Sequence, residues 1–247
     1  MRKLILTMLL LIFATPAFGL LGISGKVEVD SNSKNVYRGV ETGDDSFVIQ
    51  PNAYLSVMDL RAKIFNNITL DPDNDRKELD RTDLILGYSI LSVMGFDLTP
   101  GVKYYHKWNE GDDNTTEVFL NIDYSISLLG SGVGVYSHHY IDVHNDFGKY
   151  YGNVGARFIM DTLPVLGIQG YMDLNWQKPY AGEKVDFVFP YSLNIGVAAK
   201  FKPMPLVYLK AHVDMSVLLD SDTKDNLDTQ KKDTNIIYFG LAAGVSF

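Results

Sequence analysis

The chain has 247 residues, and its 30 acidic and 22 basic side chains give a net charge of −8. It contains no cysteine, which excludes disulfide frameworks, thiol nucleophiles and thiolate metal sites. The negative charge argues against a nucleic-acid partner. The 21 glycines, 15 tyrosines and 13 phenylalanines, beside only 9 prolines, favour many short strands over helices or disorder.

The first segment has the pattern of a secretory signal peptide. Two basic residues precede the apolar stretch Leu4–Ala14, and small residues lead on to Gly19. The stretch is shorter than the roughly 20 residues that a membrane-spanning helix needs. We predict a cleaved signal peptide at residues 1–19, with an uncleaved anchor helix as the alternative, and a barrel domain at residues 20–247. Secretion of this kind suits a Gram-negative, two-membrane bacterium.

After the signal peptide, apolar and polar residues alternate along several stretches of ten or more residues. In Glu117–Ile126 the even-numbered residues are apolar or aromatic, and the odd-numbered ones are mostly polar. The same alternation recurs in Leu166–Trp176, Tyr191–Phe201, Val207–Val217 and the segment that ends at Phe247. Only helices and closed barrels satisfy every backbone group in lipid, and this period is not helical. The pattern therefore predicts an all-β fold, a transmembrane antiparallel up-and-down β-barrel.

The predicted connections alternate in length. The long, charged or Asn/Asp-rich ones are Ser31–Ser46, Asp71–Asp80, Asn109–Thr115, Val143–Lys149, Lys178–Asp186 and Asp220–Asp233. The short ones are Met58–Arg61, Leu91–Gly95, Leu128–Gly132, Asp161–Val165 and Phe201–Pro205. This alternation predicts about 12 strands, with both termini on the short-turn side, which is periplasmic in outer-membrane barrels.

Aromatic residues cluster where the predicted strands end. At the long loops they are Tyr37, Tyr105, Trp108, Tyr140, Tyr150, Tyr151, Trp176 and Tyr180, and at the short turns they are Phe96, Phe201 and Phe247. Such clusters are typical of two interfacial girdles. The alternative is the aromatic core of a soluble sandwich.

Three stretches together resemble a known family. They are Ser33–Val40 (SKNVYRGV) with Gln50–Leu55, Gly148–Tyr151 (GKYY), and Ala242–Phe247 (AAGVSF). The chain resembles the TorF-type porins and related uncharacterised bacterial outer-membrane β-barrel proteins, which carry an aromatic-Arg-Gly element after the first strand. The resemblance implies an outer-membrane barrel with a pore function and implies no particular solute. The terminal Phe247 also resembles the signal that the barrel-assembly machinery recognises.

Charged residues fall on the predicted inner face of the barrel. The candidate pore-lining residues are Lys26, Glu28, Arg61, Lys63, Lys103, Glu117, Asp123, Arg157, Asp173, Lys200, Lys210, His212 and Asp214, joined by Asp30 and Asp83. They comprise seven basic side chains, seven acidic ones and one histidine. Two interpretations stay open: a lining that tunes solute selectivity, and a salt-bridged network that blocks flow. The balanced count predicts weak charge selectivity.

One segment carries residues of catalytic and metal-binding types. Ser137 and His139 share the outer face, while His138, Asp142 and His144 share the inner face. A Ser–His pair needs an orienting third group, and the spacing supplies none on that face. A metal site at the other three is less favoured than an aqueous rim lining. We expect no enzyme activity, no cofactor and no metal.

The predicted function is that of an outer-membrane porin through which small hydrophilic solutes or ions diffuse passively. Its expected partners are those solutes, outer-membrane lipid and lipopolysaccharide, and the barrel-assembly machinery. Two alternatives stay open. One is a non-conducting structural or adhesive barrel whose loops bind a partner, and the other is a soluble periplasmic β-barrel that binds an apolar ligand.

Overall fold

A computed structural model describes most of the predicted barrel domain. The described residues are 22–38, 40–41, 46–70, 80–108, 114–128, 130–145, 147–161, 163, 165–178, 187–221 and 234–247. The predicted signal peptide and parts of all six predicted long connections, at 39, 42–45, 71–79, 109–113, 146, 179–186 and 222–233, lie outside this part of the chain. Within it, no helix is both long enough and apolar enough to cross a membrane.

The described residues form fifteen strands. They are β1 Ile23–Asn32, β2 Val36–Tyr37, β3 Val40–Glu41, β4 Val48–Val57, β5 Leu60–Thr69, β6 Arg81–Tyr88, β7 Leu91–Val93, β8 Phe96–Lys107, β9 Thr115–Leu128, β10 Ser131–Asp142, β11 Tyr150–Met160, β12 Leu166–Lys178, β13 Val188–Phe201, β14 Val207–Leu218 and β15 Asn235–Ser246.

Twelve of these strands close into one antiparallel barrel. Consecutive wall strands pair with each other, β6 pairs with β8, and the first strand pairs with the last, with Val27 opposite Val245. The predicted twelve-stranded up-and-down barrel is therefore confirmed. Its short-turn end holds Ile23 and Ser246, and its long-loop end holds Asn32 and Val48.

Three short strands lie outside the wall order. Strands β2 and β3 pair only with each other and form a hairpin inside the first long connection. The predicted short turn at Leu91–Gly95 contains β7, which pairs with the start of β8. The chain reverses there through Met94 and Gly95, whose φ angles are 50° and 84°. Only part of that predicted turn is therefore a turn.

The two faces of the wall differ in the way that the alternation predicts. Along β9, Glu117 and Phe119 are buried, whereas Leu120 and Ile126 are exposed. On β15 the exposed fraction reaches 66% at Leu241. Apolar side chains left this exposed around a closed barrel suit hydrocarbon rather than water.

Candidate pore lining and constriction

A connected set of polar side chains crosses the inner face from β12 to β1. The Tyr208 hydroxyl donates to Glu28 at 2.6 Å, and Lys210 pairs with Asp30 at 3.0 Å. His212 lies between two carboxylates, 3.0 Å from Asp30 and 2.5 Å from Asp214. The Tyr171 hydroxyl, two strands from Asp214, donates to it at 2.8 Å. Contacts that skip a strand require side chains on the concave face, so this set points into the barrel.

Ion pairs continue around the rest of the wall. Arg61 pairs with Asp97 at 2.6 Å, Lys103 with Asp83 at 3.1 Å, and Arg157 with Asp123 at 3.0 Å. Asp97 and Asp123 are directly opposite each other on β8 and β9, and each carboxylate has its own arginine. The wall thus separates two like charges by giving each a counter-ion.

Asp173 is held differently. Its carboxylate accepts hydrogen bonds from Tyr136 at 3.0 Å, Asn175 at 3.1 Å and Asn194 at 3.0 Å. These donors are neutral, and they solvate the carboxylate within the wall.

The hairpin of β2 and β3 reaches across the barrel mouth. Its Arg38 forms an ion pair with Glu117 on β9 and donates to the Tyr105 hydroxyl on β8 at 3.2 Å. The Arg38 guanidinium also lies 4.5 Å from the ring centroid of Tyr151 on β11. Since the hairpin starts from β1 and ends at β4, these contacts join it to the opposite wall.

Two further contacts fix the hairpin. Lys34 and Glu41 form an ion pair of 3.0 Å between its two sides, and the Tyr37 ring receives the Arg81 guanidinium at 4.0 Å from its centroid. Burial alone lowers the pKa of a guanidinium. Here the Tyr37 and Tyr105 phenol groups and the Glu117 carboxylate outweigh burial and raise the pKa of Arg38.

A cavity of about 580 Å³ lies between the hairpin and the wall. Its lining includes Lys34 and Val36 of the hairpin and Asp30, Arg157 and Lys210 of the wall. The barrel interior therefore contains open space on which charged groups from several strands border.

The structure places every candidate lining residue on the inner face. Each lies an even number of positions along its strand from a residue of the contacts above, and so has the same parity, which means that it points to the same side of the wall. It also brings in residues that the sequence analysis did not assign to the lining. The most central is Arg38, which the sequence presented only as part of a family-like motif. Asp97 and Tyr208 share the parity of assigned neighbours and could have been included on that signal.

Four residues of the predicted girdle belong to the interior instead. Tyr37, Tyr105, Tyr140 and Tyr151 contact one another or Arg38 within the barrel, whereas Tyr150 has the outer parity. Position at a strand end brought them into the predicted girdle, but strand parity decides the face. Tyr180 lies outside the described residues.

The outward Ser–His pair has a third partner in the structure. Ser137 Oγ lies 3.0 Å from His139 Nε2, and His139 Nδ1 lies 2.6 Å from the Tyr150 hydroxyl. That partner comes from the adjacent strand, which is why spacing along one strand missed it. A neutral phenol does not stabilise an imidazolium as a triad carboxylate does. Contacts with Trp176 make the group part of an outer aromatic cluster.

The side chains of the three inner-face candidates for a metal site make contacts with different partners. His138 lies 3.5 Å from Asp123, Asp142 accepts from the Thr115 hydroxyl at 2.6 Å, and His144 Nδ1 lies 3.0 Å from the Asn114 carbonyl oxygen. Among the described residues, no group of three or more histidines and carboxylates converges as metal ligands.

Phe247 takes part in barrel closure. Gly25 N–H donates to the Phe247 carbonyl at 2.8 Å, and Phe247 N–H donates to the Gly25 carbonyl at 2.9 Å. The Phe247 ring covers Gly25 so closely that a Cβ there would lie 2.4 Å from it. Residue 25 must therefore be glycine for the ring to lie at this point of the β1–β15 seam.

Several solved outer-membrane proteins have a similar fold. A NanC porin aligns with a TM-score of 0.60 at 8% identity, over 90% of this chain and 98% of that one. An outer membrane channel of the COG4313 group from Pseudomonas putida F1 aligns at 0.52 and 13% identity, over 92% and 96%. A KdgM porin in complex with disordered oligogalacturonate aligns at 0.51 and 10%, over 91% and 99%.

No protein-family model and no curated protein matches the sequence. The resemblance to TorF-type porins is therefore not confirmed at the level of the family. At identities this low the structural likeness establishes the fold, and the chain has the β-barrel fold of outer-membrane porins and channels.

Proposed function

We propose that the protein is an outer-membrane porin through which small hydrophilic solutes or ions diffuse passively, without a catalytic role. The observation that carries the proposal is the contrast between the two faces of one closed wall. The inner face is polar and borders a cavity of about 580 Å³, while the outer face exposes apolar side chains on every wall strand. A water-filled path through lipid requires this contrast.

The chain reaches the membrane, in this proposal, through its signal peptide at residues 1–19 and the barrel-assembly machinery. Outer-membrane lipid and lipopolysaccharide then surround the apolar face. The names of the three structural neighbours, two porins and a channel, support the same class of activity.

The hairpin sets the width of the path at the long-loop end. Its Arg38–Glu117 ion pair crosses from one wall to the other, so the open area there depends on that contact. The same crossing favours the second candidate, a non-conducting barrel, if the hairpin closes the mouth completely. Conductance separates the two.

The test is a recording of the purified, folded full chain in planar bilayers. We expect discrete channel events, and a larger unitary conductance in Glu117→Gln, which removes the charge that holds Arg38. Asp161→Asn is the matched control, because it breaks the exposed 2.8 Å ion pair with Lys202 at the other end. A wild-type protein that is silent at every voltage would contradict the porin proposal.

A further inference from the structure

Among the candidate lining residues, acidic side chains equal lysines and arginines in number, but the two kinds of charge lie at unequal depth. In the luminal ion pairs that lysine or arginine forms, the basic partner is the more exposed one. The exposed side-chain fractions are 39% for Lys26 against 6% for Glu28, 36% for Arg61 against 16% for Asp97, and 39% for Arg157 against 18% for Asp123. Water inside the barrel therefore meets ammonium and guanidinium groups first.

Neutral donors hold the carboxylates at the wall. Glu28 accepts from Tyr208, and Asp97 accepts from Thr99 at 2.5 Å and from Ser89 at 2.9 Å. The longer stems of lysine and arginine carry their charges past these short acids. The difference in depth thus follows from how the wall solvates its acids.

Two inner-face lysines add positive charge without a carboxylate partner. Lys63 Nζ lies 5.4 Å from the Phe65 ring centroid, and Lys200 Nζ lies 4.1 Å from that of Tyr208. In the described part of the chain, neither ammonium has a carboxylate oxygen within 4.0 Å.

The strand register places these two lysines near two others. Lys200 is directly opposite Lys210, a like-charge pair that is destabilising in a sheet by itself. Lys26 lies 5.6 Å from the centroid of the same Tyr208 ring. Lys26 and Lys63 both pair with Tyr54, so they sit two strands apart, roughly 10 Å by ordinary strand spacing. We call Lys26, Lys63, Lys200 and Lys210 the lysine patch.

We propose that the lysine patch binds oxyanions, carboxylate or phosphate groups of solutes inside the barrel, and that it makes the pore prefer anions to cations. The proposal rests on the proposed function and departs from the weak selectivity that the balanced count predicts. An oxyanion between Lys200 and Lys210 relieves their repulsion, and Lys63 and Lys200 offer charge that no wall acid pairs with.

The first test is the reversal potential in a KCl gradient. We expect the wild-type reversal potential to have the sign of an anion-selective pore. In the double variant Lys63→Gln/Lys200→Gln we expect the reversal potential to shift towards zero. Lys178→Gln is the matched control, since this exposed lysine lies at the outer end of β12. Folding of each variant is checked by heat-modifiable mobility. A folded double variant with the wild-type reversal potential would overturn the proposal.

The second test does not need a conducting protein. Citrate and inorganic phosphate, each alone, should protect Lys63 and Lys200 from a water-soluble acylating reagent, and should leave Lys178 unprotected. If just one of the two probes protects these lysines, that probe identifies the class of oxyanion that the lysine patch prefers. If the chain does not conduct, protection would still support the site while the porin proposal fails. Equal labelling with and without both probes would reject the site.

Discussion

Neighbouring residues of one strand lie in different surroundings in this protein. Leu120 is outward and exposed, and the next residue, Asn121, points into the barrel. Whether a position on the strand is odd or even therefore decides whether its side chain faces the lumen or the outside of the barrel. This pattern was predictable because the period of a strand is two.

The pair supplies a direct prediction. Leu120→Lys should cost about 2–4 kcal/mol if the position lies at the bilayer midplane, because an ammonium on the lipid face loses its water. Asn121→Lys, its neighbour on the inner face, is the matched control and should cost little. The measurement is the free energy of unfolding by urea in lipid vesicles. Equal costs at both positions would mean that the outer face does not meet hydrocarbon.

Aromatic residues show where residue-level prediction fell short. Tyr105 has the parity of Lys103, and Tyr151 has that of Arg157, so their inward direction was implicit in the alternation. Their position beside loops suggested an interfacial girdle instead. A girdle residue must lie at a strand end and also on the outer face of the barrel, so an aromatic residue at a strand end that points inward is not part of the girdle.

The hairpin of β2 and β3 is a feature that the sequence did not predict. Its two strands, Val36–Tyr37 and Val40–Glu41, are too short for a periodic signal. Arg38 meets Glu117, 79 residues away, only because the barrel curves that wall opposite the first long connection. The alternation of apolar and polar residues predicts the strands of the wall, but it does not predict which loop folds into the barrel.

The seam between β1 and β15 supplies a prediction about barrel closure. Deleting Phe247 removes two backbone hydrogen bonds to Gly25 and the ring that covers it. We expect slower membrane insertion and impaired heat-modifiable mobility on semi-native gels. Phe201→Ala, at an exposed aromatic residue of the same barrel end, is the control. Wild-type insertion kinetics in the deletion variant would show that the terminal residue has no such role.

For the whole molecule, strand number and connectivity were predictable, because lengths of loops and turns alternate as regularly as the side chains. The register was not predictable. Contacts that skip a strand, such as Tyr136 with Asp173 and Tyr171 with Asp214, depend on how far each strand is shifted against the next. The unequal depth of bases and acids follows from those contacts, so counting charges in the sequence could not have revealed it.

In the proposed porin, one wall separates water inside from hydrocarbon outside. Because the chain has no cysteine, single cysteines can be placed from Glu117 to Ile126 along β9 without a background signal. In vesicles, odd positions should react with a water-soluble thiol reagent, and even positions should be protected from it and be quenched by a lipid-soluble probe. Uniform protection at the odd positions, or reaction at the even ones, would show that the wall does not separate water from hydrocarbon.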